Sequence, residues 1–311
     1  MKSAMLVLLC LAAAVLCVPA MAADEPATQS QGRAAQQGRR GGGWKLGVQA
    51  WTFHKYTLFE AIDKTKELRL KYMECFPRQP LSPEQKDVTF NESSPPEVLD
   101  KVKARLKEAG IEVISFGVVK MGTEEEARKV FEFARKMGVT TLTAEPPQDA
   151  IKMIDKLANE YEIDVAIHNH PKPSHYWSPD TVLDAIKGCS KRMGACADTG
   201  HWTRSGLDPL ECLKKLDGRV LACHFKDLNE KGPKAHDVVW GTGVNNAQAL
   251  LQELRRQKFD GPLMIEYEHN WENSMPDIKQ CIEFFRKTVR EMRGSGQPRS
   301  EGKKKEAEKQ E

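Results

Sequence analysis

From Trp44 onward, short runs of β-branched and apolar residues alternate with longer stretches in which apolar residues recur every three or four positions. These are the periods of buried strands and amphipathic helices. The pattern predicts strands at 45–53, 72–76, 111–118, 140–144, 164–168, 194–198, 219–225 and 262–267. Helices are predicted after them, in turn, at 58–70, 96–109, 124–137, 148–161, 179–187, 209–216, 246–258 and 276–292. Gly110, Gly138 and Gly261 fall between a helix and the next strand, where a left-handed residue ends a helix. Eight strand–helix units between Trp44 and Arg293 are the arithmetic of a single (β/α)8 TIM barrel, an α/β fold; a doubly wound sheet uses fewer. In such a barrel the chemistry gathers at the C-terminal ends of the strands.

The ends of the chain read differently. Lys2, the apolar run from Ala4 to Val18 and the triplet Ala20-Met21-Ala22 have the order of a secretory signal with its cleavage site. The run is shorter than the roughly 20 residues a membrane span needs, so residues 1–22 are expected to be removed and the product to be periplasmic or secreted, with no membrane attachment. Residues 23–43, rich in Gly, Gln, Ala and Arg, are expected to be a linker, and 294–311 a mixed-charge disordered tail. Six cysteines follow the signal: Cys75, Cys189, Cys196, Cys212, Cys223 and Cys281. Lying in apolar segments without CxxC spacing, they read as buried free thiols before disulfides.

The formal charge of +3 changes little once it is located. Lys2, the linker and the tail each carry one unit of it, leaving the body from Trp44 to Arg293 neutral. A neutral body offers no footprint for nucleic acid. Homo-oligomerisation is compatible with this surface.

The strand ends are rich in ligand-type residues. Glu145 closes the fourth strand, His168 and His170, the candidates there for substrate contact, the fifth, Asp198 with His201 the sixth, His224 with Lys226 and Asp227 the seventh, and Glu266 with Glu268 and His269 the eighth. Carboxylates and an imidazole converging from four neighbouring strands suit one divalent cation, Mn²⁺, Mg²⁺, Co²⁺ or Zn²⁺. Glu145, Asp198, His224 and Glu266 are the expected ligands. Five of the six tryptophans follow strand ends, and Trp51, His54, Trp202 and Trp240 are the candidates for a wall against the C–H face of a sugar. Gly241-Thr242-Gly243 is too short for a phosphate loop, so an unphosphorylated sugar or polyol is the expected substrate.

The segments Asp198-Thr199-Gly200-His201, His224-Phe225-Lys226-Asp227, Trp240-Gly241-Thr242-Gly243-Val244 and Gly261-Pro262-Leu263-Met264-Ile265-Glu266 resemble the xylose-isomerase-like barrel superfamily of sugar and sugar-phosphate isomerases and epimerases. The resemblance spans Trp44 to Arg293. It implies that Glu145, Asp198, His224 and Glu266 take the metal positions and that His201 contacts the substrate. Its epimerases also have a sugar-binding Arg after the seventh-strand His; here Lys226 and His236 stand nearest. It further implies that Glu145 and Glu266 double as bases, moving a proton next to a carbonyl through a metal-stabilised enediolate. The same residues would serve a lyase or dehydratase that expels a β-substituent. A metal-dependent endonuclease is disfavoured by the neutral body, and a non-catalytic sugar-binding barrel by the two carboxylates.

Overall fold

The computed structural model describes residues 43–294. The expected signal peptide, the linker up to residue 42 and the tail beyond residue 294 lie outside the described residues. Ten strands occur in chain order. These are β1 (Lys45–Gln49), β2 (Tyr72–Cys75), β3 (Gln79–Ser82), β4 (Gln85–Phe90), β5 (Glu112–Val119), β6 (Thr141–Ala144), β7 (Asp164–His168), β8 (Met193–Asp198), β9 (Val220–Phe225) and β10 (Pro262–Ile265). The helices are α1 (Leu58–Glu67), α2 (Pro96–Ala109), α3 (Glu124–Met137), α4 (Ile151–Tyr161), α5 (Pro179–Ala185), α6 (Thr199–Arg204), α7 (Pro209–Lys215), α8 (Ala247–Arg256) and α9 (Met275–Gly294). Eight of the strands close into an all-parallel barrel in the order β1-β10-β9-β8-β7-β6-β5-β2. The expected TIM barrel is therefore the observed one.

Local chemistry sets the element ends. Thr57 and Glu60 form a reciprocal capping box at the start of α1, as do Thr123 and Glu126 at the start of α3. At the other end of α3, Gly138 takes φ 75° and turns the chain toward β6. Two elements were not expected. The antiparallel pair β3–β4 lies in a stretch with no apolar alternation, yet Leu81 and Phe90 are fully buried, and Phe90 meets Phe116 and Phe133 at ring-centroid distances of 6.1 and 5.2 Å. Helix α6 begins where Asp198 ends β8, because the Asp198 carboxylate accepts from the His201 amide and caps it.

The main apolar core fills the layer between strands and helices. A separate small cluster of Ala166, Cys196 and Ala222 belongs to β7, β8 and β9. Side chains two positions on share the same face of a strand, so His168, Asp198 and His224 stand directly above this cluster. All six cysteines of the described residues are buried and unpaired, as expected for free thiols.

Candidate active site

Strands β7, β8, β9 and β10 are consecutive neighbours in the barrel, and their C-terminal ends bring His168, Asp198, His224 and Glu266 together. One ligand atom from each lies within 4.8 Å of the others. All four side chains are buried, and Lys226 is buried among them. Its Nζ lies 2.8 Å from Asp198 Oδ2, 2.8 Å from Glu266 Oε2 and 3.0 Å from Glu268 Oε2. His224 Nδ1 lies 3.2 Å from Glu266 Oε2.

Asp198 divides its oxygens between structure and chemistry. Oδ1 accepts from the His201 amide at 2.7 Å, while Oδ2 faces Lys226, with His168 Nε2 and His201 Nε2 each at 3.6 Å. Burial alone would raise the Asp198 pKa, but the neighbouring His201, Lys226 and His168 hold it well below the usual range. Glu266 behaves alike: burial opposes ionisation, and Lys226 and His224 overcome it. Burial holds His168 below the ordinary histidine value and His201 well below it. For His224, burial is outweighed by Cys196, Glu74 and Glu266, which raise its pKa well above the ordinary value.

Arg204, on α6, closes one side of this group. It reaches Glu268 Oε2 at 2.6 Å, Asp237 Oδ2 at 2.8 Å and His201 Nδ1 at 3.1 Å. Burial raises the Asp237 carboxyl to about 7 against the lowering charges of Lys226 and Arg204. Below the cluster lies Glu74 of β2, fully buried, which accepts from Gln49 Nε2, Ser115 Oγ and Thr143 Oγ1 at 3.2, 2.8 and 2.6 Å and meets His224 Nε2. Neither Glu74 nor Arg204 stands out in the sequence by motif. The available signal for Glu74 is a lone charge within the apolar strand Tyr72-Met73-Glu74-Cys75.

Glu145, expected as a fourth ligand, is not in the four-residue group; His168 takes that place. The physical reason is local. Glu145 follows the last residue of β6, and the loop after β7 engages its carboxylate: His170 Nδ1 lies 2.7 Å from Oε1, the His170 amide 3.2 Å and Ser174 Oγ 3.2 Å. Glu145, His168 and His170 form a second ligand-type group that shares His168 with the first.

The expected aromatic wall divides. Trp202 and Trp240 are core residues, 1% and 2% exposed, and Trp240 packs on Phe225 at 4.5 Å between ring centroids, so neither can face a substrate. Trp202 is drawn inward by the unexpected helix α6, whose Thr199–Thr203 stretch is wholly buried. Trp51, by contrast, is 41% exposed; it stacks on His54 at 4.7 Å, and His54 meets Trp271 edge-on at 4.3 Å. Thr52 Oγ1 donates to the Ile265 carbonyl and accepts from the Tyr267 amide, which ties this shelf to the residues flanking Glu266. His236 stacks on His269 at 4.3 Å.

The glycines after Trp240 have a structural task. Asp227 Oδ2 accepts from the Gly241 and Gly243 amides at 2.8 and 3.0 Å, and Oδ1 from the Asn245 and Leu228 amides at 3.0 and 3.1 Å. A Cβ on Gly243 would lie 2.4 Å from Asp227 Oδ1, so only glycine admits the carboxylate this closely. Asp227→Ala should destabilise the protein by about 3 kcal/mol by stranding these amides. Urea denaturation measures it, and a loss below about 1 kcal/mol would mean that water replaces the carboxylate without penalty.

The residues present fit a hard divalent ion. His224 Nδ1 and both ring nitrogens of His168 are buried without an aligned hydrogen bond, which buried polar atoms rarely are, and Asp198 Oδ2 and Glu266 Oε2 have the Lys226 ammonium at 2.8 Å but no aligned hydrogen bond either. Two carboxylates with two imidazoles suit Zn²⁺, Mn²⁺ or Co²⁺.

The family model described as "Xylose isomerase-like TIM barrel" matches residues 62–288. A crystallised putative uncharacterized protein from Parabacteroides distasonis is 40% identical, with a TM-score of 0.65, and the match covers 78% of this chain and 98% of that one. An L-ribulose 3-epimerase shares the fold at 13% identity and a TM-score of 0.63, covering 84% of this chain and all of its own (100%). The IOLI protein, solved with a bound zinc atom, shares it at 16% identity and a TM-score of 0.62, covering 79% and 98%. Among curated proteins, none matches the chain.

Proposed function

Since the chain belongs to the xylose isomerase-like TIM barrel family, we propose that it is a divalent-metal-dependent isomerase or epimerase of an unphosphorylated sugar or polyol. The observation that carries this reading is a pair of ionised carboxylates on opposite strands of the barrel, Glu266 within the buried ligand group and Glu145 in the neighbouring group that shares His168 with it. Glu145 follows β6 and Glu266 follows β10, four places apart in a ring of eight strands.

His168, Asp198, His224 and Glu266 would hold the ion, which when bound stabilises negative charge developing on a substrate oxygen. The chain's own groups do the rest. Glu266, kept ionised by Lys226 and His224, can take a proton from one face of a carbon beside a carbonyl, and Glu145 can serve the other face. Serving both faces inverts a carbon; relaying the proton between carbons interconverts aldose and ketose. His201, held neutral by burial, is suited to bond a hydroxyl. The Trp51–His54–Trp271 shelf suits the C–H face of a sugar. An unphosphorylated substrate accords with Asp227, which already occupies the amides of Gly241 and Gly243. We extend the reading to an exported protein on the strength of the N-terminal segment Lys2 to Ala22; its detection in a periplasmic fraction beginning near Ala23 tests that.

The pH dependence follows from His170. Burial pushes the Glu145 pKa up, but the hydrogen bond and charge of His170 bring it below the usual value; burial pushes His170 down, but Glu145 raises it. The Glu145 contribution to stability is present above its unfolded pKa, and the His170 contribution below its own. Their pair is therefore worth most between about pH 4.3 and 6.5. His170→Gln removes the lowering influence, so the acid limb of the kcat/KM profile should move to higher pH. An unmoved limb would mean that Glu145 is not the group titrating there.

The reading itself is tested with purified, Mn²⁺-loaded protein and a panel of ketoses, aldoses and 3-keto-glycosides, with products identified by NMR. Conversion of one sugar to its isomer, lost on chelation and restored by the ion, is the expected result. Loss of water or an aglycone would make the protein a lyase.

A further inference from the structure

Glu74 is far from any ordinary place for a carboxylate. It comes from β2, three places from β9 in the ring of eight strands, and is fully buried. Burying a charge is costly unless hydrogen bonds replace the lost water. Here three neutral donors supply them from three strands: Gln49 Nε2 of β1, Ser115 Oγ of β5 and Thr143 Oγ1 of β6. Gln49 is itself fixed, since its Nε2 also reaches the Gly117 carbonyl and its Oε1 accepts from the Trp51 amide. The fourth partner is His224 Nε2, at 3.1 Å from both carboxylate oxygens.

We infer that Glu74 is the positioning residue for His224, holding its ring so that Nε2–H is donated downward and the Nδ1 lone pair is presented to the Asp198–Glu266–His168 group. The argument is one of donors and acceptors. A carboxylate oxygen accepts, so the nitrogen facing both Glu74 oxygens carries a hydrogen, and the other ring nitrogen is the one left to serve as a ligand, giving up any proton it holds when an ion binds. That other nitrogen, Nδ1, lies 3.2 Å from Glu266 Oε2 and has no aligned hydrogen bond. A carboxylate behind a ligating histidine fixes its tautomer and raises its basicity, and losing it typically weakens ion affinity about 10- to 100-fold. Gln49, Ser115 and Thr143 act one step further back by keeping Glu74 in place.

This inference rests on the metal-dependent reading above, and its test separates the two. Full-length protein is stripped of metal, and Zn²⁺ affinity is measured by competition with a chromophoric chelator for wild type and Glu74→Gln. Wild type should bind one ion, and Glu74→Gln should bind it about 10- to 100-fold more weakly with unchanged near-UV circular dichroism. Equal affinity in the two would overturn the role of Glu74 alone; no Zn²⁺ binding by wild type would overturn it together with the metal-dependent reading. A second measurement needs no variant: long-range ¹H–¹⁵N correlation of histidine-labelled, Zn²⁺-loaded wild type should place the His224 proton on Nε2. A proton on Nδ1 would overturn the inference even if Glu74→Gln fails to fold, and no merely structural role for Glu74 would decide between the two nitrogens.

Discussion

Glu145→Gln and Glu266→Gln should each reduce turnover by about 10²- to 10⁴-fold, because each keeps the shape of the side chain and an oxygen while removing the proton acceptor. Substrate affinity should change far less, since a group that acts only in the transition state lowers kcat and leaves ground-state binding. The two variants should also differ from each other. If each carboxylate serves one face, the variant lacking Glu266 retains Glu145, and the variant lacking Glu145 retains Glu266. Each should then still exchange the substrate proton its surviving carboxylate reaches, so solvent deuterium enters one epimer in the first variant and the other epimer in the second, without epimerisation. Rapid-quench or NMR kinetics with each pure epimer reads this directly. Wild-type rates in both variants would remove the two-carboxylate mechanism and turn attention to His201 and to the pair Lys226 and Asp227.

Lys226→Met should be the most destabilising single change at the site. The substitution keeps most of the volume but takes away the one ammonium lying 2.8 to 3.0 Å from Asp198, Glu266 and Glu268. Removing one partner of a buried ion pair leaves uncompensated charge and costs about 3–5 kcal/mol. The pH dependence should change with it. In wild type, the lowered pKa of Asp198 and Glu266 contributes stability present above their unfolded values and lost as pH falls through the folded ones. Without Lys226 that contribution shrinks, so the variant should lose less stability than wild type on acidification. A divalent ion, placed among the same carboxylates, should raise the melting temperature of Lys226→Met more than that of wild type. A variant as stable as wild type in the absence of any ion would mean that the carboxylates find other compensation.

Most of the frame was legible in the sequence because its signals are local. Strand β7 falls on the expected residues 164–168, and helices α2 and α3 on 96–109 and 124–137, where apolar spacing, Thr123–Glu126 capping and Gly110 or Gly138 agree. The pair β3–β4 was not legible, since its burial depends on Leu81 and Phe90 meeting a core built elsewhere. In the site, the strand-end rule pointed to Asp198, His224 and Glu266, which the structure brings together with His168. It does not show that Glu145 stands outside this group, because where its carboxylate settles depends on loop partners such as His170 and Ser174. It placed Trp202 and Trp240 at the mouth for the same reason: position along the chain says where a residue leaves a strand, not which way the following loop turns it. Glu74 and Gln49 were invisible for a further reason. Their importance lies in hydrogen bonds across the barrel, between strands separated by up to 150 residues, and no pattern within a window of sequence carries that.

The central claim, proton abstraction beside a carbonyl, is tested most directly by incubating metal-loaded protein in D₂O with the substrate panel and following deuterium at each carbon by NMR and mass spectrometry. The expected result is deuterium at a single carbon next to the carbonyl, in a sugar whose carbon connectivity is intact, with conversion to the product isomer lost in Glu266→Gln. Conversion of a sugar with no solvent deuterium entering product or recovered substrate would contradict it.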